Sequence, residues 1–142
     1  MKRIGVVGLG MLGNAVALRL VDSGFEVTAY NRTKEKTFEL KERGAAIAES
    51  PREVAENSEL VIIVVRDADA VKQVSFGNEG IANGNQGKLI VADMSTIDPS
   101  ESKNISKQFS DSGIAKLDIP VMGGPNVAIT GDLVMMASGN KE

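Results

Sequence analysis

Gly8-Leu9-Gly10-Met11-Leu12-Gly13 is the stretch that decides the fold of this chain. It spells G-x-G-x-x-G between an apolar run at residues 4–7 and a helical pattern whose stripe includes Leu12, Ala15, Val16 and Leu20. In that setting Gly8 permits a tight turn, Gly10 lets a pyrophosphate approach the backbone, and Gly13 lets helix and strand pack closely. The helix start turns unpaired N–H groups and the positive end of its dipole toward the anion, a seat that Leu9, Met11 and Leu12 share. The stretch reads as the opening βαβ unit of a dinucleotide-binding domain. Methyltransferase-like sites also place glycines after a first strand, so the next strand has to discriminate.

That strand, residues 26–30, ends in Tyr30-Asn31-Arg32-Thr33. A site for NAD carries Asp or Glu about 20 residues past the glycines, where it holds the adenosine ribose hydroxyls. Asn31 at that position removes the charge that repels a 2′-phosphate, Arg32 supplies a forked donor, and Thr33 adds a hydroxyl. The three residues favour NADP over NAD. They also fit a solvated turn with Thr33 capping the next helix, and capping and binding can coexist.

Outward from this unit, short apolar runs alternate with helical patterns, which predicts an α/β fold with a mostly parallel sheet covered on both faces. Strands are expected at residues 3–8, 26–30, 45–47, 60–65, 89–93, 115–119 and 133–137. Ser50-Pro51-Arg52-Glu53 and Asp98-Pro99-Ser100-Glu101 carry a capping residue followed by Pro at the first helical position. Gly24, Gly44 and Gly113 stand where helices should stop. With no repeat, low-complexity tract or linker, residues 1–142 read as one domain.

Composition narrows the chemistry. The chain is 42% hydrophobic and 25% charged with net charge −3, and it has no basic run to suggest a nucleic-acid partner. Its longest apolar run, residues 60–65, falls far short of the roughly 20 residues a membrane helix needs. Without cysteine a cytoplasmic setting is the default expectation. Without histidine the chain has no Ser-His-Asp or Cys-His catalysis, and no metal site is expected. Acid–base work falls to Lys, Asp, Glu or Tyr, or to groups outside these residues.

Three segments together resemble the β-hydroxyacid dehydrogenase family, which includes 3-hydroxyisobutyrate dehydrogenases and glyoxylate/succinic semialdehyde reductases. They are the glycine turn with Asn14-Ala15-Val16-Ala17, then Asp93-Met94-Ser95-Thr96-Ile97-Asp98-Pro99, then Asp118-Ile119-Pro120-Val121-Met122-Gly123-Gly124-Pro125. The resemblance implies a Rossmann-like, doubly wound domain binding NAD(P). It implies that Val65 and Arg66 line the cofactor's ribose and that Thr96 lies at the nicotinamide end. It implies a substrate site drawn from Ser95, Met122, Gly123 and Gly124, for a short hydroxy acid or its semialdehyde. Ser95 and Thr96 also fit a loop hydroxyl pair that satisfies its own backbone. The backbone of Gly123-Gly124 suits a carboxylate. The sequence departs from the commonest family pattern at Met122, where Ser is usual, and at Arg66, where Pro or a small residue is usual.

The family's catalytic lysine lies on the helical region beyond the Rossmann sheet, and no segment here matches its motif. Lys116 and Lys141 read as surface charges, and Lys88 as leading into a strand. No catalytic residue is therefore assigned. The expectation is a cofactor domain truncated before the family's C-terminal helical domain, binding NADP without turnover. A non-catalytic nucleotide-binding module is the rival reading. An uncovered sheet edge or apolar patch is expected to make the chain a homo-oligomer.

Overall fold

The parity of the strands explains the architecture. In the computed structural model, which describes residues 2–119, 121–122, 124–131, 134–135 and 138–139, alternate residues of each central strand enter opposite cores. Strand β1 (Arg3–Val7) sends Ile4 and Val6 to one face and Val7 to the other. The glycine turn leads into α1 (Met11–Asp22) and back to β2 (Glu26–Tyr30). A 3-10 turn at Lys34–Thr37 runs into α2 (Phe38–Glu42) and the two-residue β3 (Ala46–Ile47).

The chain then crosses to the far side of β1. There α3 (Pro51–Glu56), β4 (Leu60–Ile63), α4 (Ala68–Phe76), β5 (Ile90–Asp93), α5 (Pro99–Asp111) and β6 (Ala115–Asp118) follow in order. The remaining described elements are β7 (Val121–Met122), α6 (Pro125–Thr130), β8 (Val134–Met135) and β9 (Ser138–Gly139). The sheet order is β3-β2-β1-β4-β5-β6-β9, parallel throughout except for β9, which runs antiparallel to β6. Ile4 sits between Val27 and Leu60, and Val6 between Ala29 and Ile62.

One face packs Val6, Val27 and Ala29 under Ala17, Leu18 and Leu40, with Ile4 and Ile62 beneath Ala15, Val16 and Ala128 of α6. The other face packs Val7, Val61, Ile63 and Val91 under Val54, Val71, Ile105 and Phe109. A fully buried Val or Ile contributes about 1.5–3 kcal/mol, so burial on both faces fixes the register of a sheet that carries little polar alternation.

The helix ends follow the sequence signals. Ser50 Oγ accepts the Glu53 N–H at 3.1 Å, and Asp98 Oδ1 accepts that of Ser100 at 2.9 Å. Gly24, Gly44 and Gly113 take positive φ of 92°, 105° and 77°.

Two expectations need correction. Of the expected strand at 133–137, Val134–Met135 pairs with Val121–Met122 in a separate two-stranded ribbon, and residues 133, 136 and 137 lie outside the described residues. The sheet is instead edged by Ser138–Gly139, a two-residue strand too short to carry a periodic signal. Lys116 is not a surface charge: its side chain is only 1% exposed. It stands in register with Val91, and its Nζ pairs with Asp118 and donates to Ser106 and Ser102 Oγ at 3.3 and 3.4 Å. Ser102 and Ser106 lie four residues apart on α5, so one helix face supplies the polar partners that burial requires. Lys88 leads into β5, as expected, and Lys141 lies outside the described residues.

Candidate functional site

The functional geometry begins with atoms that glycine lacks. Gly8 has φ +101°, and a Cβ there would sit 2.0 Å from the Val64 carbonyl oxygen. A Cβ on Gly13 would lie 2.0 Å from the carbonyl oxygen of Gly8. These two contacts bring β4, the turn and α1 into main-chain contact. Among the described residues a Cβ on Gly10 would meet nothing within 4 Å, so this residue faces open space above the helix start. The first intrahelical bond runs from Asn14 N–H to Gly10 O at 2.9 Å. The N–H groups of Met11, Leu12 and Gly13 precede it and are left for an anion.

The turn is anchored to β2 by two bonds. Gly8 N–H donates to Tyr30 O at 3.0 Å, and Leu9 N–H donates to Asn31 Oδ1 at 2.8 Å. Asn31 Nδ2 in turn donates to Thr33 O at 3.0 Å. Asn31 thus supports the phosphate turn as well as standing where an acidic residue would hold a ribose, a structural role that its sequence position does not reveal. Arg32 and Thr33 are exposed beyond it.

A cleft of about 820 Å³ opens over the C-terminal ends of β1, β2 and β4. This is where the strand order reverses direction and where open α/β sheets bind ligands. It brings together residues 8–13 and 31–33 with Val65 and Arg66, most of the cofactor positions expected from sequence. Lys36 lines the cleft with Arg32, and so do the acidic Asp67, Asp69 and Glu79. Lys36 carried no sequence signal beyond a polar turn. Met11 is 81% exposed at the lip. Arg66, whose side chain is 87% exposed, lies 3.5 Å from Asp67, whose carboxylate caps α4 through the Ala70 N–H at 2.8 Å.

Of the remaining expected positions, Ser95, Thr96 and Gly124 do not line the cleft. Thr96 is exposed just past the end of β5. Ser95 is buried, and its hydroxyl accepts the Val65 N–H at 3.0 Å. Met122 lies in β7, Gly124 is exposed beside α6, and Gly123 lies outside the described residues. Beneath Ser95 the Asp93 side chain is buried, with Oδ1 accepting the Ser95 N–H at 2.8 Å. Burial pushes the Asp93 carboxyl above its ordinary range, against the pull of the Ser95 hydrogen bonds and the Lys116 charge. Among the described residues no cluster of three acidic ligands could hold a metal, and no helix is long and apolar enough to cross a membrane.

A dinucleotide fits this arrangement on the chain's own features: an open space at Gly10, a free helix start and a cleft spanning the switch point. The sequence profile of the NAD binding domain of 6-phosphogluconate dehydrogenase matches residues 3–142. Glyoxylate/succinic semialdehyde reductase 1 of Arabidopsis thaliana is 36% identical over 139 residues, covering 97% of this chain and 48% of the reductase. The 3-hydroxyisobutyrate dehydrogenase of Salmonella typhimurium superposes with a TM-score of 0.91 at 30% identity, over 99% of this chain and 49% of that one. A structure of Psf3 in complex with NADP+ and 2-OPP superposes with a TM-score of 0.92 at 28% identity, over 97% of this chain and 49% of that one. The chain spans about half the length of the curated relatives it matches. It belongs to the NAD-binding domain family of 6-phosphogluconate dehydrogenase, with a Rossmann-like fold, and the relatives that cover it include 3-hydroxyisobutyrate dehydrogenase-like enzymes.

Proposed function

We propose that this chain binds NADP(H) in preference to NAD(H), as the cofactor domain of an oxidoreductase acting on a short β-hydroxy acid or its semialdehyde. The observation that carries the cofactor choice is the wall formed by Asn31, Arg32 and Thr33. The side chain at the ribose position is neutral and committed to Leu9 N–H, and Arg32 is exposed next to it in sequence, with Lys36 lining the same cleft. The turn at Gly10 and the N–H groups of Met11 and Leu12 hold the pyrophosphate. Arg32 and Thr33 take the 2′-phosphate, Val65 and Arg66 the ribose, and Thr96 the nicotinamide end. Ser95, Met122, Gly123 and Gly124 form the substrate side. Bound there, the cofactor supplies or accepts the hydride, while these residues bind and orient it.

The test is a fluorescence titration with NADPH and NADH on the wild-type chain and Arg32→Glu. Loss of a charge-assisted contact of about 1.5–3 kcal/mol should weaken NADPH binding about ten- to hundredfold, with NADH little affected. Equal losses for both would refute the assignment. The reading also includes cofactor binding without turnover by these residues alone, so oxidation of a hydroxy acid by the purified chain would refute that part. Self-association belongs to the same proposal. Ile129 of α6, at 49% exposure, is one apolar side chain available for it, and a strictly monomeric mass in light scattering at high concentration would refute it.

A further inference from the structure

The ends of β4 and β5 are joined by side chains where the sheet ladder stops. The last main-chain tie between them is Met94 N–H to Ile63 O at 2.9 Å. Val64 then turns to β1, donating to Val7 O at 2.9 Å. Val65, which lines the cleft, has left the ladder, and its N–H is taken by Ser95 Oγ at 3.0 Å, thirty residues away in sequence. Ser95 is held in turn by its own N–H on Asp93 Oδ1 at 2.8 Å.

The choice of a carboxylate here is chemically conspicuous. A single N–H needs only a neutral acceptor, yet Asp93 is 1% exposed and its second oxygen, Oδ2, has no hydrogen-bond partner among the described residues. A buried carboxylate at a strand end lowers stability unless something else requires it. An Asp side chain reaching its own backbone two residues on makes a rigid Asx turn. That turn aims the Ser95 hydroxyl across the gap to Val65. Next to Val65, the carbonyl of Val64 packs on Gly8, so the Val64–Val65 main chain is the wall against which the glycine turn is built.

We propose that Asp93 and Ser95 are positioning residues: a two-step relay, Asp93 to Ser95 to the Val65 N–H, that sets the β4 wall of the cleft at the height the cofactor needs. The relay rests on the cofactor reading given above. It gives Ser95 a task through Val65 and assigns a role to Asp93, which touches neither cofactor nor cleft. The dinucleotide runs along the strand ends from β2, where its 2′-phosphate is read, toward β5. Damage to the relay therefore acts on the half of the ligand that passes β4, and spares the half held at β2.

The experiment uses Ser95→Ala, Asp93→Ala and Asp93→Asn, with titrations of NADPH and of adenosine 2′,5′-bisphosphate. The bisphosphate reaches only the adenosine half. Ser95→Ala and Asp93→Ala should weaken NADPH binding about five- to tenfold, the equivalent of one hydrogen bond, and leave the bisphosphate unchanged. Asp93→Asn keeps an acceptor at Oδ1 and should bind NADPH nearly as the wild type does. Amide exchange of Val65, followed by NMR on labelled protein, should accelerate in Ser95→Ala. Equal losses for both ligands would show a general structural effect and overturn the relay, as would unchanged NADPH binding in Ser95→Ala. Should Asp93→Ala not fold, Ser95→Ala and the Val65 amide decide the matter. A wild-type chain that binds neither ligand would overturn the cofactor reading and the relay with it, whereas wild-type binding with unaffected variants overturns the relay alone.

Discussion

Gly10 and Gly13, three residues apart, should respond to alanine in opposite ways. At Gly13 the new methyl would lie 2.0 Å from the Gly8 carbonyl oxygen and 3.4 Å from Val64 Cβ. The nearest atom is backbone and cannot rotate aside, so helix and turn must separate. Overpacking of this kind costs about 1–3 kcal/mol, and contact with main chain places it at the upper end. The gain in helix propensity from Gly to Ala offsets about 1 kcal/mol, leaving a net loss of about 2 kcal/mol. Unfolding entropy for 142 residues is about 0.3 kcal/mol/K, so Tm should fall by about 7 °C. At Gly10 the backbone has φ −66° and ψ −170°, which alanine adopts freely, and no atom lies within 4 Å of the methyl. Its loss as a helix cap and the reduced entropy of the unfolded chain roughly cancel, so Tm should stay within about 2 °C. The methyl instead occupies the space the pyrophosphate needs, and NADPH should bind at least about tenfold more weakly. Circular dichroism melts and a fluorescence titration on both variants measure the contrast. A Gly10→Ala protein that melts as low as Gly13→Ala, or that binds NADPH like the wild type, would refute the division of labour.

Other substitutions probe the supports. Asn31→Asp keeps the acceptor for Leu9 N–H but loses the donor to Thr33 O, so stability should fall by only about 1 kcal/mol while preference shifts from NADPH toward NADH; Asn31→Ala loses both bonds, leaves the Leu9 N–H without its acceptor and should cost more, about 2 kcal/mol in urea denaturation. Lys116→Met removes the countercharge of Asp118 and Asp93 and should cost on the order of 3 kcal/mol by the same assay. Burial holds Asp93 above the ordinary carboxylate range, so the folded state keeps its proton where the unfolded chain has lost it, and this group lowers stability as pH rises through its folded value. Asp93→Asn should accordingly be the more stable protein near about pH 7, with the difference closing as pH falls toward about 4. A difference that does not vary with pH would contradict the assignment.

The parts legible in the sequence are those whose causes are local. Residues 8–13 show their turn because the glycine pattern sits directly between the strand and the helix it joins, and Ser50-Pro51 and Asp98-Pro99 cap helices that begin at the next residue. The parts that were not legible depend on distant partners. Lys116 is buried because α5 presents two serines over β6, and nothing in the run around it announces their arrival. The Ser95 hydroxyl is taken by a backbone group from another strand, so the letters Asp93-Met94-Ser95-Thr96 do not say which side chain faces the ligand. Lys36 reaches the cleft only through the 3-10 turn at Lys34–Thr37, a conformation that no periodicity encodes.

The stacking of Val64 O, Gly8 and Gly13 has one more consequence. A seat assembled from peptide groups has no rotamers to freeze, so the anion meets it without further ordering of the protein. On the proposed cofactor reading, the ordering that binding requires falls on Met11, Arg32 and Arg66, exposed side chains of the cleft. On that reading affinity and choice are housed in different materials: a main-chain floor that serves any dinucleotide, and an exposed margin that distinguishes among them. A lineage of such domains can drift between cofactors by editing the margin, while the floor stays under a steric constraint that admits almost no change.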